Sequence, residues 1–320
     1  MKTLSNYINE QYINENRNMS LAEKMEILIC FAHNSAFMSS DAKNMNYIIN
    51  TCNISSDESY PLIKMFNDNK STYLKMVEPL NKIYAGLKKL PDGACPITSE
   101  FLNAACYDYI PTTMPGKTDI ISKDGKYRIS VKKIGGAHLC SGSVHDTRGI
   151  MLTCADKLKT DEDREKLNAL LNPEFWYEND NIYNTITDIV KDENHKLYNE
   201  IVNAKNINAK LQAEFTELFA KNPEFRKAVI REATTGEHKY GEGSAASANY
   251  VFTWDDKNPK NSHLETVDDF LRKFYNKLNI EVGTASSEPN KNEFRICFYS
   301  DYNKFTKKRS ARTVFRIDYK

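Results

Sequence analysis

Asp119 and Lys132 are the residues in this chain whose types and placement could do chemistry together. A carboxylate can hold a hard divalent cation through oxygen. A lysine beside it can orient or deprotonate a water, or stabilise charge building on a phosphate. Both lie in the segment Lys117 to Gly142, and Asp124-Gly125 falls between them. Asp-Gly is a two-residue hairpin signal, because Gly accepts the positive φ of a type I′ turn. With that turn, Asp119 lies opposite Ser130. Lys132 becomes its diagonal neighbour, roughly 7–8 Å away by Cα and within reach of a long side chain. Strand alternation places Asp119, Arg128, Ser130 and Lys132 on one face, and Ile120, Tyr127, Ile129 and Val131 on the other.

The segment after the hairpin suits close approach of a ligand. Gly135-Gly136 and the run Cys140-Ser141-Gly142-Ser143 are small residues of the kind phosphate-binding loops need. Lys123, Lys126, Arg128, Lys132 and Lys133 make the hairpin basic, as a phosphate backbone would seek. His138 and His145 are further polar candidates for a phosphate or a base. A second chemically dense stretch is Arg231 to Gly241, where Glu232 supplies a carboxylate and Lys239 a cation. A third is Lys304 to Arg312, a basic run with Phe305 inside it; Lys307, Lys308 and Arg309 are candidates for a nucleic-acid backbone.

The elements around these stretches can be read from periodicity. Ser20 with Glu23 forms a capping box for a helix from Leu21 to about Phe37. Helices are expected over 40–51, 60–67 and 71–87, the last interrupted at Pro79. Another runs from Thr98 or Ser99 to about Tyr109, with Glu100 in its first turn. Further helices are expected over 161–171, 181–219, 224–233 and 265–278, with Gly236 as a stop. Strands are expected over 249–254, 280–284, 294–299 and 313–319. His33 and the methionines of the N-terminal third read as core.

Composition bounds the class. A chain of 320 residues with 40% hydrophobic and 27% charged residues is that of an ordinary globular protein. A net charge of +1 does not advertise a nucleic-acid binder, so such binding must come from local patches. The seven cysteines are scattered, without metal-site spacing, and read as buried reduced thiols. No apolar run approaches the ~20 residues of a membrane span, and no secretory signal is expected. There is no Walker loop, dinucleotide fingerprint, nucleophile elbow or metalloprotease helix.

The hairpin carrying Asp119 on one strand and Ser130-x-Lys132 on the next resembles the PD-(D/E)XK nuclease superfamily over roughly Glu100 to Gly149. The resemblance implies a mixed-sheet restriction-endonuclease-like core and metal-dependent hydrolysis of DNA phosphodiesters with Mg²⁺ (or Mn²⁺). It makes Asp119 the metal-binding carboxylate and Lys132 the catalytic lysine. Ser130 stands where the family has Glu or Asp, so one ligand of the pattern is missing. Glu100 or Glu232 would then complete the metal shell, with Arg128, Lys133, His138 and Lys239 on the DNA backbone.

The first residues, with Ile8-Asn9-Glu10 and Ile13-Asn14-Glu15, resemble the capsid-targeting peptide of internal head proteins in T-even-like phages. That implies packaging in the head, cutting by a prohead protease after Glu10 or Glu15, and delivery to the host cytoplasm. The expected architecture is α/β (α+β): a peptide over 1–15, a helical region over 16–95, a nuclease-like core over 96–260 and a small α/β region over 261–320. The competing class is a non-enzymatic head protein that binds DNA or counters a host defence.

Overall fold

The computed structural model describes residues 19–36, 40–51, 54–83, 107–109, 116–122, 125–134, 137–255, 257–277, 294–303 and 307–319. The chain is mixed α+β, with helices and a mixed sheet, and it divides into two compact units. Unit one is Met1–Met114 with Ser122–Asp124; unit two is Pro115–Ile121 with Gly125–Lys320. Glu100, Phe305 and the peptide over 1–15 lie outside the described residues, as does the strand expected over 280–284.

In unit one, helix α1 (Leu21–Ser35) begins on the expected capping box. The Ser20 hydroxyl accepts from the Glu23 amide at 3.2 Å, and the Glu23 carboxylate accepts from the Ser20 amide at 2.7 Å. Every residue of α1 from Ile27 to Asn34 is buried, and His33 bonds Asn81 at 2.6 Å. Helices α2 (Asp41–Thr51), α3 (Ser56–Met76) and α4 (Glu78–Lys82) follow. The two expected helices over 60–67 and 71–87 differ from this. Helix α3 joins the first to the start of the second, ending at Met76 with a kink at Asn69, and Pro79 sits in the first turn of α4. Proline is tolerated there because first-turn amides lack an intrahelical partner. Tyr107–Tyr109, expected as the end of a helix, is strand β1.

Unit two is built on two sheets. The first joins β2 (Ile120–Ser122), β3 (Arg128–Lys133), β6 (Tyr250–Trp254) and β7 (His263–Thr266) in that order. Strands β2 and β3 are antiparallel with Ile120 opposite Ile129, the register the Asp-Gly turn dictates, and Gly125 has φ +71°. Strands β3 and β6 are parallel, and β6 and β7 antiparallel. The second sheet centres on β9 (Lys308–Tyr319). Strand β8 (Phe294–Asn303) lies along one edge of β9; β4 (Ala137–Gly142) and β5 (Glu178–Ile182) share the other.

Helices α5 (Val144–Leu152), α6 (Asp161–Leu170), α7 (Ile186–Ile189), α8 (Tyr198–Lys221), α9 (Pro223–Thr235), α10 (Glu237–Tyr240) and α11 (Val267–Lys277) complete the unit. The core gathers Phe215, Phe219, Phe225, Phe294 and Phe315, with the Phe219 and Phe294 rings stacked at 4.3 Å. Burying one such ring stabilises by about 1.5–3 kcal/mol.

Three expectations are corrected. The helix over 181–219 is a strand, a short helix and then α8, because Asn179 and Ile182 pair with β9. Residues 263–266, partly expected as helix, pair with β6. The strand expected over 313–319 begins earlier, at Lys308, so Lys308 and Arg309 of the basic run lie in β9. In the first case a partner remote in sequence overrides local propensity; in the other two the pairing strand is a near neighbour along the chain.

Candidate active site

The hairpin register delivers Asp119 to Ser130 and Lys132. The Asp119 amide donates to the Ile129 carbonyl at 2.9 Å, which sets the strand. One oxygen of its carboxylate, Oδ2, accepts from the Val131 amide at 2.6 Å and the Ser130 hydroxyl at 3.2 Å. Lys132 Nζ lies 3.5 Å from the same oxygen. The pair is partly buried, with Lys132 16% and Asp119 24% exposed. This face is not a solvent face: Ser130 is 1% exposed, and Val251, on the same face of β6, belongs to the main core.

Lys117 joins them. Its amide donates to the Ala246 carbonyl at 2.8 Å and its ammonium to the Leu139 carbonyl at 3.2 Å. Burial pushes its pKa below the usual lysine value; Cys140 and Asp119 oppose that shift, and Lys132 and Lys239 add to it. Cys140, on β4, is a buried thiol whose pKa burial raises, with Lys117 and Lys239 acting against the rise. Lys239 Nζ stands 3.9 Å from Asp146 in the first turn of α5. Gly142 is required beside it, since a Cβ there would come within 2.7 Å of the Asp146 Cβ. The strand ends of β2, β3 and β4 thus meet α5 and α10 around three lysines, two aspartates and a thiol.

The remaining expected residues meet protein partners or sit at the surface. Glu232 is 1% exposed, and its two oxygens accept from the amides of His238 and Lys239, each at 2.9 Å. It caps α10, just past Gly236, whose φ of +66° ends α9. Arg128 is held by protein carbonyls, donating to Ser247 at 2.7 Å and Gly125 at 3.0 Å. Lys133 lies over the Trp254 ring at 5.0 Å. His138 is on β4, opposite Asp318 of β9, and His145 is exposed on α5. Lys307 is exposed at the turn before β9 with φ +55°. Lys308 donates to Asn181 at 2.9 Å, and Arg309 lies over Tyr302 at 5.0 Å.

Among the described residues, no three His, Cys, Asp or Glu side chains gather where they could hold a metal ion. Asp119 offers one carboxylate, already engaged by three donors, and this set by itself does not fit a divalent cation.

Sequence reasoning missed Lys117, Cys140 and Asp146. The signal for Lys117 was present, since it shares the strand parity of Asp119. Asp146 carried no such signal, because only the packing of α5 brings it to Lys239.

No family model matches the chain, and no curated protein matches it. Among solved structures it is similar to the restriction endonuclease MspI in complex with its cognate DNA. The TM-score is 0.32 with 12% sequence identity, over 65% of this chain and 69% of that one. A likeness at this level assigns neither a family nor an activity.

Proposed function

We propose that this chain is a nuclease-like protein that engages the DNA phosphodiester backbone at the Asp119–Lys132 face. The observation that supports it is the contact itself. A carboxylate fixed by a main-chain amide and a lysine 3.5 Å away project from neighbouring strands of one hairpin. Lys117 and Lys239 lie in the same electrostatic neighbourhood. In this reading Lys132 meets the charge of the phosphate, and Asp119 holds Lys132 in place. Lys133, His138, Lys307, Lys308 and Arg309 are proposed as contacts along the strand.

The finer form of the proposal is hydrolysis dependent on Mg²⁺ or Mn²⁺, with Asp119 and Glu100 as ligands. A second form, DNA binding without hydrolysis, is favoured by Ser130 and by the engagement of Glu232 with backbone amides. Incubation of plasmid and linear DNA with each metal, comparing wild type, Asp119→Ala and Lys132→Ala, separates them. Metal-dependent cutting lost in both variants supports hydrolysis. Binding without cutting leaves the second form, and neither binding nor cutting overturns the whole proposal.

We also propose that the chain is carried in a phage head, on the strength of Ile8-Asn9-Glu10 and Ile13-Asn14-Glu15. Mass spectrometry of virion protein should find a first residue after Glu10 or Glu15; an intact Met1 there would overturn it.

A further inference from the structure

The Asp119 neighbourhood holds more cations than the hairpin pattern calls for, and one of the two extra ones, Lys117, is built in. Lys117 is fixed at both ends, by its amide on Ala246 and its ammonium on Leu139. Its stem runs over Gly236, where a Cβ would come within 3.0 Å of the Lys117 Cγ. Lys239 passes Gly149 only at ordinary contact distance, with its Cε 3.8 Å and its Nζ 3.9 Å from a Cβ built there. At Gly236 the missing side chain leaves room first for the Tyr240 ring, 2.5 Å from a Cβ built there, and then for the Lys117 stem.

The three ammoniums are weakly matched inside the protein. Among the described residues Lys117 makes no ion pair, and the Leu139 carbonyl takes one of its three N–H groups. Lys239 reaches Asp146 at 3.9 Å and lies over the Tyr240 ring at 5.3 Å. Lys132 shares one oxygen of Asp119 with the Val131 amide and the Ser130 hydroxyl. Lys239 is exposed and Lys132 has Asp119, but the Lys117 ammonium is partly buried without a close carboxylate, which is costly unless an anion meets it. A phosphate oxyanion, with several acceptor oxygens around one centre, is the group that Lys117 (just before β2), Lys132 of β3 and Lys239 of α10, charges near enough to act on one another, would suit.

We infer that Lys117, Lys132 and Lys239 form a cradle for a phosphate oxyanion of nucleic acid, one that holds its ligand without a bound cation. The inference rests on the proposed engagement of DNA at this face and adds Lys117 as a binding residue. The phosphate can be an internal diester or a terminal monoester. The two share their oxyanion chemistry and differ in charge.

The test is fluorescence anisotropy of the full chain with labelled DNA in EDTA, using duplex, 5′-hydroxyl and 5′-phosphorylated strands. Wild type is expected to bind in EDTA, and Lys117→Met and Lys239→Met each to weaken binding about tenfold and lower the salt slope by about one. Tighter binding of the phosphorylated strand assigns the site to a chain end, and equal binding to the backbone. Inorganic phosphate, titrated against chloride at constant ionic strength, should compete for the wild-type site; this arm needs no variant, so a misfolded substitution does not blunt the test. Binding that requires Mg²⁺, binding indifferent to both substitutions, or no competition by phosphate would each overturn the cradle while leaving DNA engagement intact. Absence of binding with and without Mg²⁺ would overturn both.

Discussion

Ser130→Asp restores the carboxylate of the nuclease pattern, and its cost can be worked out from the geometry. The Ser130 hydroxyl is 3.2 Å from Asp119 Oδ2, and the site is 1% exposed. A carboxylate placed there would stand about 4 Å from the existing one, where two unit charges repel by about 4 kcal/mol at an effective dielectric of 20. Lys132, 3.5 Å from Asp119, offsets part of that. The expected net loss is about 2–3 kcal/mol in EDTA at neutral pH, read by urea unfolding. The new carboxyl group would have a folded pKa raised above its unfolded value of ~3.9. Its penalty is therefore complete above the raised pKa, fades as pH falls from there, and is gone below the unfolded value. A second carboxylate beside Asp119 also creates a divalent-cation site. Mg²⁺ at one hundred times its dissociation constant should return about 2.7 kcal/mol to the variant and leave wild type nearly unchanged. A variant as stable as wild type in EDTA would refute the geometry. Equal stabilisation of both proteins by Mg²⁺ would refute the argument that Ser130 leaves the site short of a ligand.

Two further outcomes are expected. Glu232→Ala orphans the amides of His238 and Lys239, so unfolding by denaturant should show a loss of about 1–3 kcal/mol, and DNA affinity should fall with it because Lys239 loses its anchor; an unchanged unfolding midpoint would show that the cap is dispensable. Among the described cysteines, Cys297 should be alkylated first in the native protein. Cys30, Cys140 and Cys154 are buried, and burial pushes the Cys154 thiol up to about 11, leaving about 10⁻⁴ of it as thiolate at neutral pH. Peptide mapping after brief iodoacetamide treatment checks the order, and early labelling of Cys154 would contradict it.

By itself the sequence determined whatever depends on neighbours along the chain. The register that pairs Ile120 with Ile129, and with it the meeting of Asp119, Ser130 and Lys132, is the one expected from the Asp-Gly pair in the sequence. Ser20 and Glu23 set the start of α1, and Gly236 the end of α9. These are local effects, written in a few adjacent side chains and backbone angles. Tertiary structure decided the rest. Whether 178–182 would be strand depended on β9, more than a hundred residues away in sequence. Glu232 had the right chemistry for a metal shell, but the amides of the short helix after Gly236 claimed it, because a buried carboxylate must be hydrogen-bonded. Lys117, Lys239 and Asp146 lie far apart along the chain. Only the packing of β4, α5 and α10 against the hairpin brings their charges together, and no local spacing encodes that arrangement.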